Sequence, residues 1–140
     1  MIVRRTSLSL GPAALAAALL MMLPSRVPAQ EVVNLRATLR PSRTDPQASG
    51  VASYERAGRH QHLNVEVQGI ASSNPVDIFV NDCFVATLDL VRGYGTLDLD
   101  TDVGDDVPLI NEGDVLSVFD ANDERVILLG TFYRVRRSDG

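Results

Sequence analysis

Apolar and polar residues alternate through most of the chain after residue 30. In "VVNLRATL", Val33, Leu35, Ala37 and Leu39 fall on one parity, and Asn34, Arg36, Thr38 and Arg40 on the other. A period of two puts one set on each face of a β-strand. "PSRTDPQASG" interrupts the pattern with two prolines and a glycine, which marks a loop. Alternation resumes in "VASYERA" (51–57), pauses at Gly58 and Arg59, and returns in "HQHLNVEVQG" (60–69). There Leu63, Val65 and Val67 point inward, and His60, His62, Asn64 and Glu66 outward.

Two hairpins are legible further on. "VDIFV" and "CFVATLDL" flank Asn81 and Asp82, two residue types that tolerate positive φ in a tight turn. A two-residue turn pairs Val80 with Cys83, Phe79 with Phe84 and Ile78 with Val85. One face then carries Ile78, Val80, Cys83 and Val85, and the other Phe79, Phe84 and Leu88. Apolar on both faces, this hairpin is expected to be central and covered, with Cys83 buried. "RGYG" turns into "TLDLD", with Leu97 and Leu99 inward and Asp98 and Asp100 outward. "VLSVF" and "RVILLGTFYRV" flank "DANDE", a turn of the length that takes a bulge. The second hairpin echoes the first: each runs an apolar pair, an "ND" turn, an apolar strand and then a small residue before threonine. A pseudo-repeat and convergent turn chemistry both explain that echo.

No window has a helical period. The pattern predicts an all-β domain, an antiparallel sandwich or barrel of about eight short strands. The stretches "VASYERAGRHQHLNVEVQGI", "VDIFVNDCFVATLDLVRGYGTLDL" and "GDVLSVFDANDERVILLGTF" resemble small secreted bacterial all-β domains of unknown function. More distantly, they resemble the repeats of chordin-type (CHRD) domains. The likeness spans roughly residues 33–133. It departs at Asp82, where glycine is usual in that pattern, and at Cys83. The resemblance implies a fold and transfers no catalytic residue.

The first residues belong to a different pattern. Arg4 and Arg5 precede the apolar run "PAALAAALLMML", and "VPAQ" offers Ala29 as a cleavage point. Residues 1–29 therefore read as a secretory signal peptide, and 30–140 as a single all-β domain. The apolar run is shorter than the ~20 residues of a membrane-spanning helix. General secretion fits better than twin-arginine export, because "RRTSL" lacks the usual bulky residue after the arginine pair. The expected location is periplasmic or secreted.

Cleavage changes the charge. Three of the thirteen basic residues leave with the leader and none of the eighteen acids, so a formal −5 becomes −8. Such a surface is poorly suited to phosphate backbones or anionic membranes. No nucleic-acid partner is expected, and no membrane span after cleavage; the partner would be an extracellular protein or surface. Charge is also uneven. Residues 36–62 hold five arginines and two acids, whereas residues 98–124 hold ten acids and no base.

Candidate chemistry is sparse. No serine sits in a nucleophile-elbow motif, and no glycine-rich loop leads into a helix, so no enzyme activity is expected. Four phenylalanines, three tyrosines and no tryptophan argue against an exposed aromatic platform, with Tyr94 left as a lone stacking residue. Two metal readings stand. Five of the nine residues in "DLDTDVGDD" are aspartate. As an EF-hand the stretch fails, with Val103 at the glycine position and Leu109 at the final glutamate. A looser calcium loop would use Asp100, Asp102, Asp105 and Asp106. The weaker candidate is zinc or copper on His60, His62 and Glu66, whose spacing matches part of a cupin metal motif. The glycine positions of that motif hold Tyr54 and Ser73, and there is no third histidine. Both readings compete with plain solvated strand faces and loops.

Overall fold

The computed structural model describes residues 31–136. The expected signal peptide, residues 1–29, lies outside the described residues. Nine strands form: β1 (Val32–Pro41), β2 (Ser49–Ala57), β3 (His60–Gln68), β4 (Val76–Val80), β5 (Cys83–Leu88), β6 (Gly95–Asp100), β7 (Val115–Asp120), β8 (Val126–Thr131) and β9 (Tyr133–Arg134). All pair antiparallel, in the order β5-β4-β7-β8-β1-β2-β3-β6, with β9 added on β1. The two ends of this path, β5 and β6, approach one another, so the sheet is a nearly closed barrel. Near-closure of this kind shields the edges that a flat sheet would leave open, although no ladder joins β5 to β6. No helix among the described residues is long and apolar enough to cross a membrane.

The core follows the parity of the sequence. Val33, Leu35, Ala37 and Leu39 of β1, Leu63, Val65 and Val67 of β3, and Val76, Ile78 and Val80 of β4 are all buried. Leu97 and Leu99 of β6 pack against them from a partly buried position. Tyr54 and Phe132 are the largest buried side chains. Tyr54 keeps its hydroxyl satisfied by donating to Gln61 Oε1 at 2.8 Å, as a buried phenol requires. The segment between β6 and β7 adds Val107 and Ile110 to the core.

β1 joins the two halves of the barrel. It pairs with β2 over 32–39, and its last residues, Arg40 and Pro41, pair with β8. Leu39 sits at this crossing between two glycines. A Cβ on Gly50 would stand 3.0 Å from one Leu39 methyl and 2.7 Å from the Glu66 carbonyl; one on Gly130 would stand 2.7 Å from the other methyl and 2.6 Å from the Thr38 carbonyl. Only glycine leaves room there for the backbone and Leu39 together.

The Asn81–Asp82 turn forms as expected, with φ of 48° and 65°. It sets Val80 opposite Cys83 and Phe79 opposite Phe84. A bulge between Ile78 and Phe79 then places Ala86, not Val85, opposite Ile78. The larger correction concerns cover. β5 is the end strand of the sheet, Cys83 is exposed, and Phe84 is 59% exposed. Two apolar faces do not mean two covered faces on an end strand. One face does enter the core: the bulge moves Leu88 off the expected Phe79–Phe84 face and sets it opposite the buried Val76, and Val85 packs against the core from a partly buried position. The other lies on the outside of the barrel.

The echo between the hairpins has a geometric counterpart. β4 and β7 are neighbours, and their register centres on the pair Ile78 and Val118. These are equivalent positions in "IFVND" and "VFDAND". On either side of that centre Phe79 faces Ser117, and Asp77 faces Phe119. Each hairpin also slips register immediately before its phenylalanine, at Ile78/Phe79 and at Val118/Phe119.

Candidate functional sites on the two outer faces

The outside of the barrel has two characters. Over β1, β2, β3 and β6 the outward residues are polar: Asn34, Arg36, Ser53, Glu55, His62, Asn64, Glu66, Thr96 and Asp98 among them. Over β5, β4, β7 and β8 they are mixed, with Phe84, Phe79, Phe119 and Leu129 set among Asp77, Thr87, Ser117 and Thr131.

On the polar face the structure joins two of the four predicted calcium-loop aspartates, Asp100 and Asp102, to one of the three predicted zinc or copper ligands, His60. β3 and β6 pair with His62 opposite Asp100. Continuing that register by two residues brings Asp102 opposite His60. The ladder itself is replaced there by Thr101, whose hydroxyl accepts from the Gln61 N–H at 2.9 Å and donates to the Gln61 carbonyl at 3.3 Å. Thr101–Val103 is a single 3-10 turn. It is capped by Asp100, whose Oδ1 accepts from the Asp102 N–H at 2.8 Å. Gly104 closes it at φ 86°.

His60 Nδ1 consequently lies 3.0 Å from Asp102 Oδ2 and 3.6 Å from Asp100 Oδ1. Nδ1 itself is shielded from solvent, and Asp102 is its nearest polar neighbour. The close Asp102 carboxylate, with Asp100 and Glu55 adding to it, holds His60 above the usual imidazole pKa despite partial desolvation. One donor atom from each of His60, Asp100 and Asp102 lies within 4.8 Å of the others. Two ligands bound at about 2.1 Å in tetrahedral geometry stand about 3.4 Å apart, so these spacings suit a zinc-like ion. They suit calcium poorly, because it takes six to eight oxygens.

The other predicted ligands are not gathered here. Asp105 Oδ2 accepts from the Asp100 N–H at 3.0 Å, which fastens the loop back onto β6. Asp106 is exposed on the loop. His62 Nε2 pairs with Asp98 instead. Glu66 lies opposite Thr96, four residues along β3 from His62, about 13 Å away along the strand. The expected four-aspartate loop and the expected His60–His62–Glu66 row thus each give up members to structural contacts. Parity along the aspartates and histidines was visible in the sequence; the pairing of β3 with β6 across an intervening hairpin was not.

The mixed face holds a site that sequence reasoning missed. Phe79 meets Phe84 edge-on, with centroids 5.7 Å apart, and meets Phe119 edge-on at 5.3 Å. Three of the four phenylalanines in the chain are therefore spent on the exterior, and only Phe132 fills the core. Of the three, Phe84 is exposed while Phe79 and Phe119 are half-buried, so the cluster is a partly covered apolar patch and not an open aromatic platform. Tyr94, the expected stacking residue, is exposed in its turn, with its hydroxyl against Thr96 Oγ1 at 3.0 Å.

A hollow of about 360 Å³ opens over this cluster, lined by Asp77, Phe79, Asp82, Phe119, Asp120, Ala121 and Glu124. It has four carboxylates and no base. Two of them have internal duties. Asp77 accepts from the Thr87 hydroxyl at 2.6 Å. Asp120 is buried and caps the β7–β8 turn, accepting from the N–H groups of Asn122 at 2.9 Å and Asp123 at 3.1 Å. Burial pushes the Asp120 carboxyl up, but hydrogen bonds from the Asn122 backbone, Ser72, the Asp123 backbone and Asn74 outweigh it, and the net shift is downward. Asp82 and Glu124 are exposed at the two hairpin turns, and neither forms an ion pair among the described residues.

No protein-family model matches the chain, and no curated protein is significantly similar to it.

Proposed function

We propose that the chain is an exported, non-catalytic binding domain whose working surface is the outer face of β4, β5 and β7. The observation that carries this reading is the exterior cluster of Phe79, Phe84 and Phe119. Aromatic side chains on a monomer's surface cost solubility, and contiguous apolar patches commonly mark interaction sites. The leader-like residues 1–29 and the likeness to small secreted all-β domains support action outside the cytoplasm.

The test uses a photo-crosslinking amino acid placed at position 84 or at position 64, on the polar face, in the exported chain. Adducts with a partner are expected from position 84 and not from position 64. Equal yields from both, or none from position 84, would sink the reading. N-terminal sequencing of the exported protein is expected to begin at Gln30.

A second reading rests on His60, Asp100 and Asp102: a site for a zinc-class divalent ion that ties the loop after β6 to β3. A ligand that binds only the native state raises its melting temperature. Metal-stripped domain is expected to gain stability with zinc, and His60→Ala to lose that gain. A gain with calcium alone, or with no metal, overturns it.

A further inference from the structure

The hollow has a direction as well as a composition. β4 and β7 run antiparallel, so their turns lie at opposite ends of it. Val80, next to Asp82, pairs with Leu116; Val76, at the other end, pairs with Asp120, next to the turn that holds Glu124. The four residue steps from Val76 to Val80 span about 13 Å. Exposed carboxylates therefore stand at the two ends, Asp82 at one and Glu124 at the other. Phe79, Phe119 and the hydrogen-bonded Asp77 form the floor between them.

An unneutralised acidic post at each end of an aromatic floor selects for a cation that also has apolar surface. Guanidinium and alkylammonium side chains meet both demands, through ion pairing and through contact with an aromatic face. A strand-like peptide advances by about 3.3 Å per residue, so side chains four residues apart on one face span the ~13 Å of β4 that separates the two turns. We infer that this groove binds a short extended peptide segment of a partner protein, bearing basic residues four positions apart with an apolar residue between them. The inference rests on the proposed binding function of this face and adds the chemistry of its occupant.

Fluorescence anisotropy with three labelled peptides tests it on the mature domain: Arg-Gly-Leu-Gly-Arg, Gly-Gly-Leu-Gly-Gly and Glu-Gly-Leu-Gly-Glu. The arginine peptide is expected to bind at least tenfold more tightly than the neutral one, and the acidic peptide not at all. Affinity for the arginine peptide should fall as salt rises, because exposed charges are screened. Asp82→Asn with Glu124→Gln should reduce its binding at least tenfold. Asparagine tolerates the positive φ of position 82, and a melting curve checks that the double variant folds. Equal binding of the neutral and arginine peptides, lost in Phe84→Ser, would overturn the basic occupant while leaving a binding face. Unchanged affinity in the charge variant would also overturn it. Binding of none of the three peptides overturns the inference outright, and the crosslinking at position 84 then decides separately whether the face binds at all.

Discussion

Phe79 and Phe84 face one another across the β4–β5 hairpin on the outside of the barrel, with ring centroids 5.7 Å apart. Edge-to-face pairs of this kind contribute about 0.5–1.5 kcal/mol beyond their buried area. Phe84 is 59% exposed, so little hydrophobic burial adds to that. Phe84→Ser is therefore expected to cost no more than about 1.5 kcal/mol in urea unfolding. Phe132→Ala, at a side chain only 1% exposed, should cost about 3–5 kcal/mol. If Phe84→Ser is as damaging as Phe132→Ala, the exterior cluster is part of the core and is not held out for a partner.

His60 and Asp102 make stability depend on pH. The folded pKa of His60 is raised above its ordinary value of 6.5. Its contribution is thus fully present below the unfolded value and is lost as pH rises through the folded one. In the presence of a chelator, the melting temperature should fall between pH 6 and pH 8.5. Asp102→Asn should remove most of that fall. Zinc has the opposite dependence, because the metal competes with the proton on Nδ1. The stabilisation by zinc should be larger at pH 8 than at pH 6, and a zinc effect that grew towards acid would rule out His60 as a ligand.

Asp120 organises the turn that bounds one end of the groove. Besides its side-chain bonds, its own N–H donates to the Arg125 carbonyl and its carbonyl accepts from the Glu124 N–H. Hydrogen bonds to an ionised group are worth about 1.5–3 kcal/mol, so Asp120→Ala should destabilise the domain by an amount of that order. The depressed carboxyl contributes stability above its unfolded pKa of 3.8 and loses it as pH falls through the folded value. Acid unfolding should accordingly be less steep below pH 4 in Asp120→Ala than in the parent. A variant with the parent's stability and acid profile would show that the turn stands without this cap.

Period-two alternation made the strands readable, because a face buried in a barrel demands it of every strand. Leu35 and Leu63 were assigned inward on that basis, and His62 and Glu66 outward, and all four lie so. The limits were topological. Nothing in "HQHL" or "LDLD" says that β3 and β6 are neighbours, since a whole hairpin separates them in the chain. His60 could therefore not be matched with Asp100 and Asp102 in advance. Asp105 was read as a free ligand because an aspartate that caps a backbone N–H and one that waits for an ion look alike in sequence. Phe79 and Phe84 were misplaced for a different reason. Hydrophobicity reports a preference for contact but does not say whether the contact lies inside the domain or with another molecule.

Cys83 shows the same ambiguity in one atom. A lone cysteine is commonly a small buried apolar group, and its apolar neighbours favoured that reading. It opens the end strand β5, directly after a turn held at positive φ, and its side chain is exposed. The chain has one cysteine, so no internal disulfide can form. An accessible thiol in an oxidising compartment pairs with another chain or with a small thiol. Residues 30–140 purified without reductant should run at twice their mass on a non-reducing gel and return to monomer with reductant. Cys83→Ser should run as monomer in both conditions. Because the thiol is exposed, this substitution should change stability by no more than about 0.5 kcal/mol. A loss well above that, with no dimer in the parent, would mean that the thiol packs against the barrel and that the earlier expectation of burial was right.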